Sequence, residues 1–175
     1  MIYFLTFLVV TILDQLTKNA VIANFKMFQS KIIIDKVLYL TYVTNKGGAF
    51  GMMSGFPYFF IILALLLCIA GIVYIPKILK MPKALQFALG LLLGGTVGNL
   101  IDRLRFKGAV IDFIDFKVWP TFNVADIAIC IGVGIIVFLL LTTKEDKAAE
   151  NEDKEALLPA GDIENESGGL PASGV

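Results

Sequence analysis

Asp14, Asp35, Asp102, Asp112, Asp115 and Asp126 are the only acidic side chains in residues 1–143. The chain has no His, which excludes Ser-His-Asp and Cys-His catalysis and any His-based zinc site. Cys68 and Cys130 sit in separate apolar stretches without Cys-x-x-Cys spacing, so they read as small packing residues. Carboxylate chemistry remains. Two close carboxylates cannot both ionise cheaply, so they share one proton and their apparent pKa values separate. The ionised member can then take a proton from water while the protonated member polarises a carbonyl. Such a pair needs neither a metal nor an organic cofactor.

The six acids differ in their surroundings. Asp35 lies between polar neighbours and reads as a surface residue. Asp14 and Lys18, four apart, face one side of a helix and can pair. Arg103 follows Asp102 and can hold a backbone carbonyl or a carboxylate in a bidentate grip, with Asp102 one such partner. Asn123-Val124-Ala125-Asp126 has the pattern of a helix start, Asn as N-cap and an acid three residues on. Asp112 and Asp115 lie just upstream, in Val110-Ile111-Asp112-Phe113-Ile114-Asp115-Phe116.

The elements that position these groups are membrane spans. The chain is 57% hydrophobic and 17% charged over 175 residues, and its mean hydropathy is +0.81. Residues 47–76, 84–101 and 127–143 carry no charge, and about 17–25 helical residues cross a bilayer core. Spans are expected at 2–22, 57–75, 84–101 and 124–143, the first retained rather than cleaved. Residues 76–83 form a tight basic turn, so 24–56 and 102–123 share the opposite membrane face. Lys31 to Thr44 favours strand and suggests a small sheet on that face. Gly90, Gly94 and Gly98 stack on one face of the third span and invite a close helix neighbour.

Charge divides the chain in two. Residues 1–143 hold 12 Lys and Arg against 6 Asp, a net +6, whereas residues 144–175 hold 3 Lys against 9 acids, a net −6. Every Glu lies in that second part. With Pro159, Gly161, Gly168 and Gly169, it reads as a disordered acidic tail.

Four motifs resemble the lipoprotein signal peptidases, the type II signal peptidase family. They are Asp14-Gln15-Leu16-Thr17-Lys18; Asn45-Lys46-Gly47-Gly48-Ala49-Phe50-Gly51; Gly94 to Arg103 continuing to Val110-Ile111-Asp112-Phe113; and Phe122-Asn123-Val124-Ala125-Asp126. In this order, over nearly all of residues 10–130, they are highly specific. Gly48 stands where the family usually has Ala, the stretch from Arg103 to Asp112 is one residue longer than the common spacing, and the acidic tail has no counterpart.

The resemblance implies an α-helical integral membrane protein with four transmembrane helices and a small extracytoplasmic β-sheet. It implies an intramembrane aspartic endopeptidase that cuts diacylglyceryl-modified bacterial prolipoproteins before the lipidated Cys. Asp112 and Asp126 fall on the catalytic pair, and Asp102 on a structural Asp. Asn45, Gly95, Asn99, Arg103, Val110, Asn123 and Ala125 fall on substrate-site or supporting positions, and Asp14 and Lys18 on a supporting pair. Asp115 has no match. No metal, cofactor or nucleic acid is expected, and a monomer in membrane lipid is. The family orientation puts both termini and residues 144–175 in the cytoplasm of a bacterial inner membrane. Counting Lys and Arg argues the reverse, with three in residues 76–83 and four in each large loop; the resemblance decides, since Lys18 and Arg103 belong to the site. A small transporter or proton-conducting bundle is the other class in which intramembrane Asp and Lys are usual.

Overall fold

The computed structural model describes residues 1–47 and 57–156, the side chains only to residue 142. The elements run α1 (Ile2–Asn24), β1 (Ser30–Ile34), β2 (Leu38–Asn45), α2 (Pro57–Val73), α3 (Ile75–Ile78), α4 (Lys83–Arg105), β3 (Val110–Asp115) and α5 (Val124–Ala156). The chain forms two units, Met1–Leu139 and Leu140–Val175.

Three helices are long and apolar enough to cross a membrane: Ile2–Asn24, Lys83–Arg105 and Val124–Thr142. The fold is therefore a helical membrane protein with a small antiparallel sheet of three strands, in the order β1-β2-β3. Leu5, Leu8, Ile12 and Leu16 of α1, and Ile131, Phe138 and Leu141 of α5, stay exposed. In a bilayer such side chains meet lipid rather than water.

The glycine stripe works as its spacing suggests. A Cβ on Gly90 would lie 2.7 Å from Tyr3 O, and one on Gly94 would lie 2.8 Å from Phe7 O, so α1 packs backbone to backbone on α4. At Gly98 the added Cβ would collide with the Asp14 carboxylate. The same glycine face thus ends by making room for a charged group. Deeper in the bundle, Val10, Leu91 and Ala128 bring α1, α4 and α5 into one apolar cluster.

The sheet is larger than the sequence suggested. Lys31 to Thr44 does form strands, but Val110–Asp115 is a third strand in what was expected to be loop. It pairs with β2 through Asn45↔Val110, Val43↔Asp112 and Tyr39↔Asp115, with a register shift between Leu40 and Val43. The turn from α4 into β3 uses left-handed backbone at Lys107 (φ 53°) and Gly108 (φ 89°). Gly108 N–H donates to Arg103 O at 2.8 Å and Ala109 N–H to Phe106 O at 3.1 Å.

At the other end of the chain, α5 continues to Ala156, well inside the stretch expected to be disordered. Ala, Glu and Lys dominate there, and all are strong helix formers. Residues 157–175 lie outside the described residues, as do Gly48, Ala49, Phe50 and Gly51 of the second motif.

Candidate active site

The site begins with a buried lysine. Lys18 is 1% exposed, a placement that requires partners for its charge. Its Nζ lies 2.8 Å from Asp14 Oδ2 and 3.1 Å from Asp102 Oδ2, and donates to Asn99 Oδ1 at 2.9 Å. An ammonium has three protons, and each finds an acceptor. Gln15 completes this layer by donating to Gly98 O at 3.1 Å and Asp102 Oδ1 at 3.0 Å.

The carboxylates of this layer reach further. Asp14 Oδ1 accepts Ala125 N–H at 2.9 Å, in the first turn of α5. Asp102 Oδ2 accepts Ile111 N–H at 3.0 Å, on β3. The ionic layer therefore fixes α1 to α4 and ties both to the two elements that carry Asp126 and Asp112. Arg103 is not the partner of Asp102. It donates to Asn99 O at 3.3 Å and lies 5.1 Å from the Phe60 ring centroid. Helix geometry explains this, because successive side chains point about 100° apart.

Above that layer two amides link the aspartates. Asn99 Nδ2 donates to Asp126 Oδ1 at 2.8 Å, and Asn123 Nδ2 donates to Asp112 Oδ1 at 2.7 Å. Asn123 Nδ2 also lies 3.1 Å from Asn99 Oδ1 and 3.2 Å from Ile111 O. Asn45, at the end of β2, donates to Asp112 Oδ2 at 3.1 Å. Asn123 Oδ1 accepts Asp126 N–H at 3.0 Å while Asp126 Oδ2 accepts Asn123 N–H at 3.2 Å. That is a reciprocal capping box. The helix-cap reading of Asp126 is correct, and the other carboxylate oxygen remains with Asn99.

Asp112 is 2% exposed. Burial, then the neighbouring charge of Asp126, pushes its pKa up to about 7, against the amides of Asn45 and Asn123. An acid that keeps its proton near neutrality, beside a second carboxylate, is what the paired chemistry needs.

Asp115, the unmatched acid, belongs elsewhere. Its Oδ2 accepts Thr41 Oγ1 and Lys117 Nζ, both at 2.6 Å, and its Oδ1 accepts Lys117 N–H at 2.8 Å. Burial raises its pKa, but those hydrogen bonds and the Lys117 charge outweigh it and hold the carboxyl below its ordinary value. Asp35 is exposed in the β1–β2 turn. Val110 is buried and pairs with Asn45. Ala125 is fully buried, and a Cβ on Gly95 would collide with Ala125 O. These two residues let α4 and α5 touch where Asn99 meets Asp126. Gln15 and Thr41 were not singled out in the sequence. Gln15 lay within the first motif, but Thr41 gave no signal beyond its strand.

The structure thus defines a helical membrane protein whose span ends and sheet converge on two amide-bridged aspartates, Asp112 buried and Asp126 half-buried. The chain belongs to the signal peptidase (SPase) II family, whose family model matches residues 6–142. The lipoprotein signal peptidase of Halalkalibacterium halodurans is 41% identical over 157 residues, covering 87% of this chain and 99% of that one. That of Syntrophomonas wolfei is 45% identical over 143 residues, covering 81% and 95%. Two solved structures, each described as a bacterial membrane enzyme, superpose with TM-scores of 0.75 and 0.70. They are 34% and 35% identical and cover 83% and 79% of this chain, and 90% and 92% of their own.

Proposed function

We propose that the chain is an intramembrane aspartic endopeptidase that removes signal peptides from diacylglyceryl-modified prolipoproteins, with Asp112 and Asp126 as its catalytic pair. The relatives named above are lipoprotein signal peptidases, and a peptidase of that kind is the function of this family member. The observation that carries the residue assignment is the Asn99–Asn123 bridge between the two carboxylates.

Asp112, with its pKa near 7, holds the shared proton and points it at the scissile carbonyl. Asp126 takes a proton from water as the water oxygen attacks the carbonyl carbon. Asp112 gives its proton to the carbonyl oxygen, forming a gem-diol. Collapse returns a proton to the leaving nitrogen and breaks the C–N bond. Asn45 and Arg103 border this pair and are suited to hold an extended peptide through its backbone groups.

The same reading makes α2 a fourth span. Its 17 residues sit at the lower end of the length that crosses a bilayer core, about 17–25. An even number of spans leaves both termini on one side of the membrane; the family orientation makes that side the cytoplasm and puts the site at the outer surface, where a lipidated Cys can keep its acyl chains in the bilayer. Residues 144–175 then form a cytoplasmic extension, and the enzyme works as a monomer.

The test is cleavage of a diacylglyceryl-modified prolipoprotein by purified protein. Asp112→Asn and Asp126→Asn should each abolish it, and Asp115→Asn should not. Full activity of either of the first two sinks the assignment, and loss confined to Asp115→Asn moves it along β3.

A further inference from the structure

A cavity of about 260 Å³ lies between α2, α3 and α4, on the far side of Thr96 from the aspartates. Leu67, Ala70, Tyr74, Ile78, Leu89 and Leu93 line it. Leu67 and Tyr74 are also exposed, so the cavity opens outward from the bundle. The hydroxyls of Tyr3 and Thr96, which border it, are occupied by Gly71 O at 3.4 Å and Leu92 O at 2.7 Å. An apolar cavity offering no hydrogen bonds does not hold ordered water. Within a bilayer the available filler is hydrocarbon.

The mouth is basic. Lys77 Nζ lies 5.1 Å from the centroid of the Tyr74 ring, and Lys80 and Lys83 follow in the same turn. Residues 57–101 contain no carboxylate, so this stretch offers the lysines no counter-charge. The rim is also rigid, since Gln86 Nε2 donates to Leu79 O at 3.2 Å and Met81 O at 2.9 Å. The depth fits as well. From Lys83 to Thr96, α4 rises about 20 Å, comparable to the roughly 15 Å of one leaflet's hydrocarbon.

We propose that this cavity holds one acyl chain of an anionic phospholipid, drawn from the leaflet that the 76–83 turn faces, with its phosphate on Lys77 and Lys80. The proposal rests on α2 being a span, and it is independent of which residues cut the substrate. The chain fills the gap that α2 leaves against α4, and the lysines select the headgroup.

Native mass spectrometry of the full-length protein, titrated with phosphatidylglycerol and with phosphatidylcholine, tests it. One phosphatidylglycerol should be retained in preference to phosphatidylcholine. The double variant Lys77→Gln/Lys80→Gln should weaken that retention about tenfold or more. Ala70→Phe should remove retention of both lipids while leaving prolipoprotein cleavage intact. A phosphatidylglycerol with a photoreactive acyl tail should label residues 67–74 and 89–93 of the unaltered protein, a result that does not depend on any variant folding. Equal retention of the two lipids, undiminished retention by Ala70→Phe, or label spread evenly over the exposed faces of α1 and α5 would overturn the proposal. So would a raised KM for prolipoprotein in Ala70→Phe with lipid retention unchanged, since the groove would then belong to the signal-peptide helix.

Discussion

Asp112 and Asp115 stand on the same strand three residues apart, yet they occupy opposite electrostatic worlds. Strand side chains alternate between faces, so an odd spacing sends one acid to the helix amides and the other to Thr41 and Lys117. Asp115 meets Lys117 at 2.6 Å and a hydroxyl donor, and its charge is fully answered. Asp112 meets amides and the charge of Asp126. The lysine that could have neutralised Asp112, Lys18, is itself occupied by Asp14, Asp102 and Asn99. A buried acid becomes chemically useful when its neighbours hydrogen-bond to it without cancelling its reluctance to ionise. One that is paired with a cation becomes structure.

The largest expected effect breaks the comparison from its reactive side. Asp112→Asn should lower kcat by at least about a hundred- to ten-thousand-fold while the protein still folds, because Asn keeps the shape and the amide contacts. Steady-state cleavage alongside a thermal melt measures both halves. An inactive but unfolded variant would make Asp112 a structural group like Asp115.

Lys18→Met should follow, with the emphasis reversed. It strands Asp14 and Asp102 in a site where both are 0% exposed, and breaking a buried ion pair typically costs about 3–5 kcal/mol. A large fall in thermal stability is the expected reading. Activity lost at unchanged stability would show that Lys18 acts on the pair through Asn99 rather than by holding α1, α4 and α5 together.

Much of this site was legible as sequence, and the rest was not for definite reasons. The spans Lys83–Arg105 and Val124–Thr142 announced themselves by charge-free windows, Asp126 by its cap pattern and the Asp14–Lys18 pair by helical spacing. β3 stayed hidden because Val110, Ile111, Asp112, Phe113 and Asp115 are all buried. A strand covered on both faces has no alternation to read. Adjacency offers Asp102 as one partner of Arg103, but Arg103 takes the other option, a backbone carbonyl, at Asn99, and the partner of Asp102 is Lys18 from another helix. The Asn99–Asn123 bridge depends on Gly95 and Ala125 letting α4 and α5 meet, which spacing alone does not reveal.

The pH profile sharpens the same contrast with a smaller effect. With Asp112 as the proton-holding member, activity should fall as pH rises through about 7, because the pair then loses its shared proton. Asn45 donates to Asp112 and lowers its pKa, so Asn45→Leu should move that alkaline limb upward. An unmoved limb would mean that it reports another group.

Asp115→Asn should have the least effect on chemistry and a modest one on stability. The carboxyl of Asp115 is depressed in the folded state, so its contribution is present at neutral pH, above the unfolded value near 3.9. It is lost as pH falls through the lower folded value. Lys117 is 47% exposed, so solvent screens much of the ion pair. The hydrogen bonds to Thr41 and Lys117 N–H then dominate, and their loss should cost about 1–2 kcal/mol. Denaturation of wild type and variant at neutral pH should show that gap, and the two curves should draw together in acid below the folded pKa of Asp115. A gap that persists there would assign the effect to packing rather than charge. A collapse of activity at neutral pH would erase the distinction between the two acids of β3.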